Sequence, residues 1–239
     1  MGSLFALADL HLSAAGAKPM HVFGELWRDH AERMARAWDE AVGADDTVLL
    51  PGDLSWARNL SEVAPDLAWI AARPGRKLLL RGNHDSWWSS PGRVRAALPS
   101  CCEVLQNNAL EFDDWVIVGA RGWTDPDDPF AKPGDDRVFA RELERLQASV
   151  ADADARFDRG RPRLAMTHFP PWIDEERPTR VVGLLRRAGV RLCVYGHLHG
   201  EDQQRAVRGE RDGIRFVFVA ADAVRFRPVP IDLAFEPLR

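Results

Sequence analysis

Short apolar runs rich in Val, Ile and Leu alternate along this chain with longer stretches of helical period. That alternation restricts it to an α/β architecture in which strands are joined through helices. The opening reads as strand Ser3–Ala8, helix Glu25–Val42, strand Thr47–Leu50, helix Ser61–Ala72 and strand Lys77–Leu80. On the first helix Leu26, His30, Arg33, Met34, Ala37, Trp38 and Ala41 form one stripe, and Gly43 ends it; Ser61 is the expected N-cap of the second. A short helix Pro91–Leu98 follows, then strands Val104–Leu105, Ala109–Phe112 and Trp115–Val118. The remaining pattern predicts helix Arg137–Ala155, strand Arg163–Met166, helix Thr179–Ala188, strand Arg191–Tyr195 and a last β-run, Ile214–Ala220. The stretch Trp123–Asp136, rich in Pro and Asp, has no period and is expected to be a surface loop, either a lid or an excursion. No repeat, low-complexity tract or linker divides the chain, so 1–239 is expected to form a single domain.

Composition removes whole classes of function. With 46% apolar and 28% charged residues the chain has material for a core and is not intrinsically disordered. Its net charge of -4, from 36 acidic and 32 basic residues, supplies no field toward a nucleic-acid or membrane polyanion, so neither partner is expected. Three cysteines, two of them adjacent at Cys101 and Cys102 and the third at Cys193, make no disulfide framework and point to a reducing cytoplasm. No apolar window is long enough to span a bilayer, and the amino terminus shows no signal-peptide pattern.

The chemistry sits in five polar clusters, each placed directly after a predicted strand: Asp9-Leu10-His11, Gly52-Asp53, Gly82-Asn83-His84-Asp85, His168, and Gly196-His197-Leu198-His199. Loops at the carboxyl ends of strands are where α/β sheets meet ligands. Together the clusters use five of the seven histidines. Singly they are ordinary, since a strand-end Asp is often a helix cap and Gly-Asn often starts a hairpin. As a set, Asp9, His11, Asp53, Asn83, His168, His197 and His199 make seven imidazole, carboxylate and amide donors without a thiolate. That excludes a Cys-type structural zinc, exceeds what one tetrahedral ion takes, and suits two divalent ions sharing a carboxylate. Gly52, Gly82 and Gly196 are expected to turn the backbone sharply so that each following ligand approaches without a Cβ clash.

In this order the clusters resemble the calcineurin-like metallophosphoesterase superfamily, over most of the chain from Asp9 to His199. The resemblance implies a four-layer αββα sandwich with mixed β-sheets. It implies a di-metal centre with Asp9, His11, Asp53 and His199 on one ion and Asp53, Asn83, His168 and His197 on the other. It also implies that His84 is a catalytic histidine outside the ligand set. Lys18-Pro19-Met20, Gly52-Asp53-Leu54-Ser55-Trp56, Asn83-His84-Asp85-Ser86-Trp87-Trp88 and Arg121-Gly122-Trp123 are similar to a bacterial group of predicted phosphohydrolases, a group defined by sequence rather than by substrate.

The expected activity is hydrolysis of small phosphate mono- or diesters. Two divalent ions about 3.5–4 Å apart hold a water between them, lower its pKa and clamp the phosphoryl oxygens. Asp53 is the expected bridge. His84 would protonate the leaving alkoxide as general acid, and Asp85 would hold its ring in the right tautomer. Manganese is the expected metal, with iron or zinc compatible with the same donors. Arg58, Arg81 and Arg121 are candidate binders of substrate charge. Trp56, Trp87, Trp88, Trp123 and Trp172 either line the mouth of the site or plug the layer above it; His21 and His30 have no assigned role. A nuclease or a protein phosphatase would use the same centre, but the acidic balance opposes the first and no docking groove is evident for the second. A non-catalytic scaffold would have no use for His84.

Overall fold

The central strands of this chain bury both faces, and successive residues enter different apolar layers. On β1 (Leu4–Ala6) and its continuation, Leu4, Ala6 and Ala8 enter one cluster while Phe5 and Leu7 enter another. β2 (Thr47–Pro51) repeats this with Leu49 on one side and Val48 and Leu50 on the other. Such period-2 division of apolar residues between two clusters requires cover on both faces of the sheet. The computed structural model describes residues 2–14, 16 and 18–234, so the expected single domain extends over residues 1, 15, 17 and 235–239 that lie outside the described ones.

β1, β2, β3 (Arg76–Leu80) and β4 (Cys102–Val104) run parallel. β11 (Val229–Pro230) closes the other edge antiparallel to β1, giving the order β11-β1-β2-β3-β4. The second sheet contains β5 (Leu110–Phe112), β6 (Trp115–Ala120), β7 (Arg163–Thr167), β8 (Val190–Tyr195), β9 (Gly209–Arg211) and β10 (Ile214–Phe218) in the order β5-β6-β7-β8-β10-β9. Its four central strands are parallel and its two edge strands antiparallel. Leu78, Leu80, Ile117, Leu164, Met166, Leu192 and Val194 fill the space between the sheets. Outside the first sheet pack α1 (His30–Ala41), α2 (Leu60–Ala71) and α3 (Pro91–Ala97), through Met34, Trp38, Leu67, Ile70 and Val94. Outside the second pack α4 (Asp135–Arg156) and α5 (Arg180–Arg187), through Phe139, Leu146, Val182 and Leu185. The result is the expected four-layer αββα sandwich with two mixed sheets.

Local departures have identifiable causes. The predicted helix from Glu25 is broken: a 3₁₀ turn covers Glu25–Trp27, Asp29 adopts φ 51°, and α1 starts only at His30. The break turns Trp27 inward onto Phe226, at 5.1 Å between ring centroids, and leaves Leu26 half exposed. α2 is capped by Asn59, not Ser61; the Asn59 Oδ1 accepts from Ser61 N and Glu62 N at 3.1 and 3.0 Å. α4 starts two residues earlier than expected, placing Asp135 and Asp136 in a first turn where negative charge is favoured. One residue, Arg191, is extra in β8, because Arg163 pairs with Val190 and Leu164 with Leu192. That bulge turns Val190 out to the helical layer, against the parity of Leu192 and Val194.

The sheets meet at one seam. Leu7 N still donates to Leu49 O of the first sheet, whereas Ala8 N donates to Val219 O, just past β10 of the second, both at 2.9 Å. Ala8 and Ala220 form a parallel bridge. The end of β1 is thus shared between the sheets, and Asp9 is the next residue. Among the described residues no helix is long and apolar enough to cross a membrane, and the three cysteines are free thiols.

Candidate metal centre

Beyond the seam the chain from 9 to 12 runs beside 52 to 54: Asp9 N donates to Gly52 O, His11 N to Asp53 O and Leu12 N to Leu54 O. This closeness forces unusual backbone angles. Asp9, His11, Asp53 and His197 all lie in the left-handed region, at φ 61°, 45°, 54° and 78°. A non-glycine residue held there costs about 1–3 kcal/mol and persists where its surroundings impose it.

The three glycines do not all act as turns. Gly52, at φ 90°, makes the expected turn. The other two are places of close approach instead: a Cβ on Gly82 would stand 2.0 Å from Asp53 Oδ1, and one on Gly196 2.2 Å from Asp9 Oδ2. Gly82→Ala is therefore expected to push the Asp53 carboxylate out of place, costing about 1–3 kcal/mol of stability by overpacking. Elemental analysis should show lost metal, and thermal unfolding a lowered Tm.

The structure brings all seven expected donors together. One group comprises Asp9, His11 and His199, with the His11 and His199 Nε2 atoms 3.3 Å apart. A second comprises Asp9, Asp53 and His168. Around His168, its Nε2 is 2.7 Å from Asn83 Oδ1 and 3.3 Å from His197 Nδ1, and that Nδ1 is 3.1 Å from Asn83 Oδ1. Both buried carboxylates reach both halves. Asp53 Oδ2 is 3.4 Å from His168 Nε2 and 3.8 Å from His11 Nε2. Asp9 Oδ1 is 3.4 Å from His199 Nε2 and 3.9 Å from His168 Nδ1.

Two of the imidazoles are oriented from behind. His168 Nδ1 donates to Pro51 O and His199 Nδ1 to Asp222 Oδ1, each at 2.9 Å, which turns both Nε2 atoms toward the centre. Asp222, itself held by Gln203 Nε2 at 2.7 Å, was not foreseen, although it too follows a predicted β-run.

The charge balance tests whether cations fit. Asp9 and Asp53 are buried, which opposes ionisation, yet His199 and His168 respectively hold them ionised below the usual carboxylate range. Burial opposes charge on the histidines too, but Asp53 carries His168 up to about 9, and Asp9 with Asp222 carries His199 up to about 10. His11 and His197 are driven by burial down to about 4 and about 3. Buried anions here attract protons onto two imidazoles while two others stay neutral as ready lone-pair donors. A site of this donor chemistry, with His11 Nε2 turned toward His199 and Asp53 and glycine backbones admitting both carboxylates, fits divalent cations.

His84 stands at the rim. Its side chain is 44% exposed, with Nε2 4.0 Å from Asp53 Oδ2, while its backbone N donates to Asp53 Oδ1 at 2.8 Å. Burial lowers its pKa against the pull of Asp53, and the Lys18 charge adds to that lowering. Asp85 does not hold the His84 ring. Its carboxylate accepts from Leu54 N, Ser55 N, Gly82 N and Trp87 Nε1 at 2.9, 3.1, 2.7 and 3.0 Å, clamping the two ligand loops together. Burial raises it to about 6.

The arginines go elsewhere. Arg58 is 79% exposed and reaches Glu62 at 3.4 Å. Arg121 Nη2 bonds the buried Glu142 Oε1 at 2.8 Å and Arg145 Nη1 bonds the same oxygen at 2.6 Å, pinning α4 to the end of β6. Breaking such a buried pair costs about 3–5 kcal/mol. Arg81 lies beside this cluster, lining the same small cavity as Arg121 and Glu142. Of the tryptophans, Trp87, Trp88 and Trp172 are buried. Trp56 does face the site, stacked on His11 at 5.0 Å and packed on His84 at 4.4 Å. Trp27, from the broken helix, meets His11 and His199 edge-on, each at 5.6 Å. Trp123 packs on Phe169, which stacks on His197 at 3.9 Å. A cavity of about 530 Å³ lies beside Asn83 and His197, and the loop after Trp123 walls one side of it.

The model of the family described as calcineurin-like phosphoesterase matches residues 3–201. Gene 66 protein of Mycobacterium phage L5 is 36% identical over 85 residues, 36% of this chain and 41% of that protein. Its counterpart in Mycobacterium phage D29 is 37% identical over the same lengths and shares, so the match spans about two fifths of these relatives. Among solved structures, phosphopantetheinyl hydrolase from Mycobacterium tuberculosis superposes with a TM-score of 0.59 at 16% identity, covering 99% of both chains. A Thermus thermophilus protein gives 0.57 at 11%, covering 97% of this chain and 98% of its own. A protein of unknown function from Aquifex aeolicus gives 0.51 at 14%, covering 96% of both. At these identities the structures share the fold.

Proposed function

The chain belongs to the calcineurin-like phosphoesterase family, and from that premise we propose that it hydrolyses small phosphate mono- or diesters at a centre of two divalent ions. Asp9, His11, Asp53 and His199 would hold one ion, and Asp53, Asn83, His168 and His197 the other. Manganese is the first metal to test, with iron and zinc served by the same donors. The observation that carries the reading is the convergence of two buried carboxylates and four histidines, contributed by both sheets, at one seam. Asp53 as the bridge is supported by its Oδ2, which faces His11 on one side and His168 on the other.

Bound there, the ions would supply Lewis-acid charge to the phosphoryl oxygens and acidify the attacking water. The chain's own residues do the rest. Asp222 and Pro51 O orient His199 and His168, and Asp85 holds the Asp53 and Asn83 loops in register. His84, half exposed at the rim, delivers the proton that the leaving oxygen needs. The 530 Å³ cavity beside Asn83 and His197 offers room for the organic part of a small substrate. With Arg58 and Arg121 engaged elsewhere, the arginines expected at the mouth make no phosphate-tracking groove, which favours a small ester over a polynucleotide.

Hydrolysis of p-nitrophenyl phosphate and bis(p-nitrophenyl) phosphate with added Mn²⁺ tests this. Turnover should disappear with chelator and return with metal. Turnover indifferent to chelator, or none with any divalent metal, would sink the reading.

A further inference from the structure

Lys18-Pro19-Met20 is a motif that the metal centre does not absorb, and two of its residues, Lys18 and Met20, act on one indole. The Lys18 ammonium lies 3.7 Å from the Trp56 ring centroid and 4.7 Å from that of Phe23. The two rings are nearly parallel, 8° apart with centroids separated by 6.3 Å, and the ammonium lies over both of them. Pro19 precedes the 3₁₀ turn Met20–Phe23 that presents Phe23. Met20 Sδ accepts from Trp56 Nε1 at 3.0 Å, fixing the indole on which the lysine rests. At the other end of the motif Lys18 N donates to Ser13 Oγ at 2.9 Å.

Among the described residues no carboxylate forms an ion pair with Lys18, whereas exposed arginines such as Arg28 and Arg156 do pair with acids. Aromatic faces hold an ammonium in place by their quadrupole without cancelling its charge for other partners. The same indole stacks on His11 and packs on His84, so the held cation and these two histidines share one aromatic neighbour, and the Lys18 charge is felt at His84. Neither Arg58 nor Arg121 supplies positive charge at that place.

We propose that Lys18 is a substrate-binding residue that recognises the second negative charge of a phosphomonoester and so biases the site toward monoesters over diesters. The inference rests on the phosphoesterase reading above. A monoester carries about -1.5 to -2 charge near neutral pH, whereas a diester carries a single charge. A positioned ammonium therefore adds more to binding the former.

The test compares Lys18→Met, which keeps the stem and removes the charge, with Lys18→Arg, which keeps the charge. With p-nitrophenyl phosphate, Lys18→Met should lower kcat/KM by roughly 10- to 100-fold, mostly through KM, the worth of one charge-assisted hydrogen bond. Its loss with bis(p-nitrophenyl) phosphate should be at least about tenfold smaller, and Lys18→Arg should recover most of the monoester activity. Independently of turnover, calorimetric titration of inorganic phosphate into the metal-loaded protein should show affinity weakened by Lys18→Met at equal metal content. Equal losses on both esters, unchanged phosphate affinity, or metal lost from Lys18→Met would overturn the proposal. Wild-type protein that cleaves neither ester overturns the phosphoesterase reading instead, and the phosphate titration then still decides for or against Lys18.

Discussion

Asp53→Asn is expected to empty both halves of the centre and to lower turnover by on the order of 10³-fold or more, the scale of losing a preorganised electrostatic group. The reason is directional. Asp53 Oδ1 already accepts from His84 N, and Oδ2 is the atom that faces His11 and His168. An amide keeps its oxygen on the His84 N–H, since the reverse orientation sets donor against donor. Its NH₂ then points into the centre, presenting two hydrogens where a lone pair is needed. Elemental analysis of the purified variant measures the result. Loss of one ion with the rate spared would show that Asp53 is not the bridge.

His84→Ala separates proton delivery from metal binding. The variant should fold and keep its metal, because the His84 side chain stands at the rim and is largely backed by Trp56. It should nevertheless lose about 10² to 10⁴ in rate, the usual worth of one positioned proton donor. The loss should be larger for an alkyl phosphate than for a nitrophenyl phosphate, because a nitrophenolate departs with little protonation and an alkoxide does not. His168→Ala or His197→Ala, by contrast, should lower metal content and slow both substrates alike. If His84→Ala stripped metal, or slowed both leaving groups equally, the acid role would be wrong.

The centre was legible because its donors are local events repeated at strand ends. Asp9, Asp53, Asn83, His168 and His197 each follow a parallel strand, and parallel strands bring their carboxyl ends to one edge. The layer order was legible less directly, only through the resemblance. What escaped was the choice among distant partners. Nothing near Arg121 in sequence announces Glu142, which lies a helix away, and nothing near Asp85 shows that its carboxylate is spent on four donors. Two good caps stood two residues apart at Asn59 and Ser61, and local preference does not rank them. The break before α1 serves the burial of Trp27, a tertiary demand that helical period does not carry. One miss had a signal: Asp212 and Gly213, both at positive φ, are the two-residue turn of the β9–β10 hairpin.

The seam at Ala8 also sets a timetable for the living chain. Ala8 and Ala221 are hydrogen-bonded across almost the whole sequence, and His197 N meets the Asp9 carboxylate across 188 positions. During synthesis at about 5–20 residues per second, Asp9 waits on the order of 10–40 s before the segment that fixes it has been made. The first sheet can begin to pair in that interval, since β1 to β4 lie within the first half of the sequence. The centre cannot. A nascent chain therefore holds no assembled donor set, and a complete centre reports that both sheets have docked.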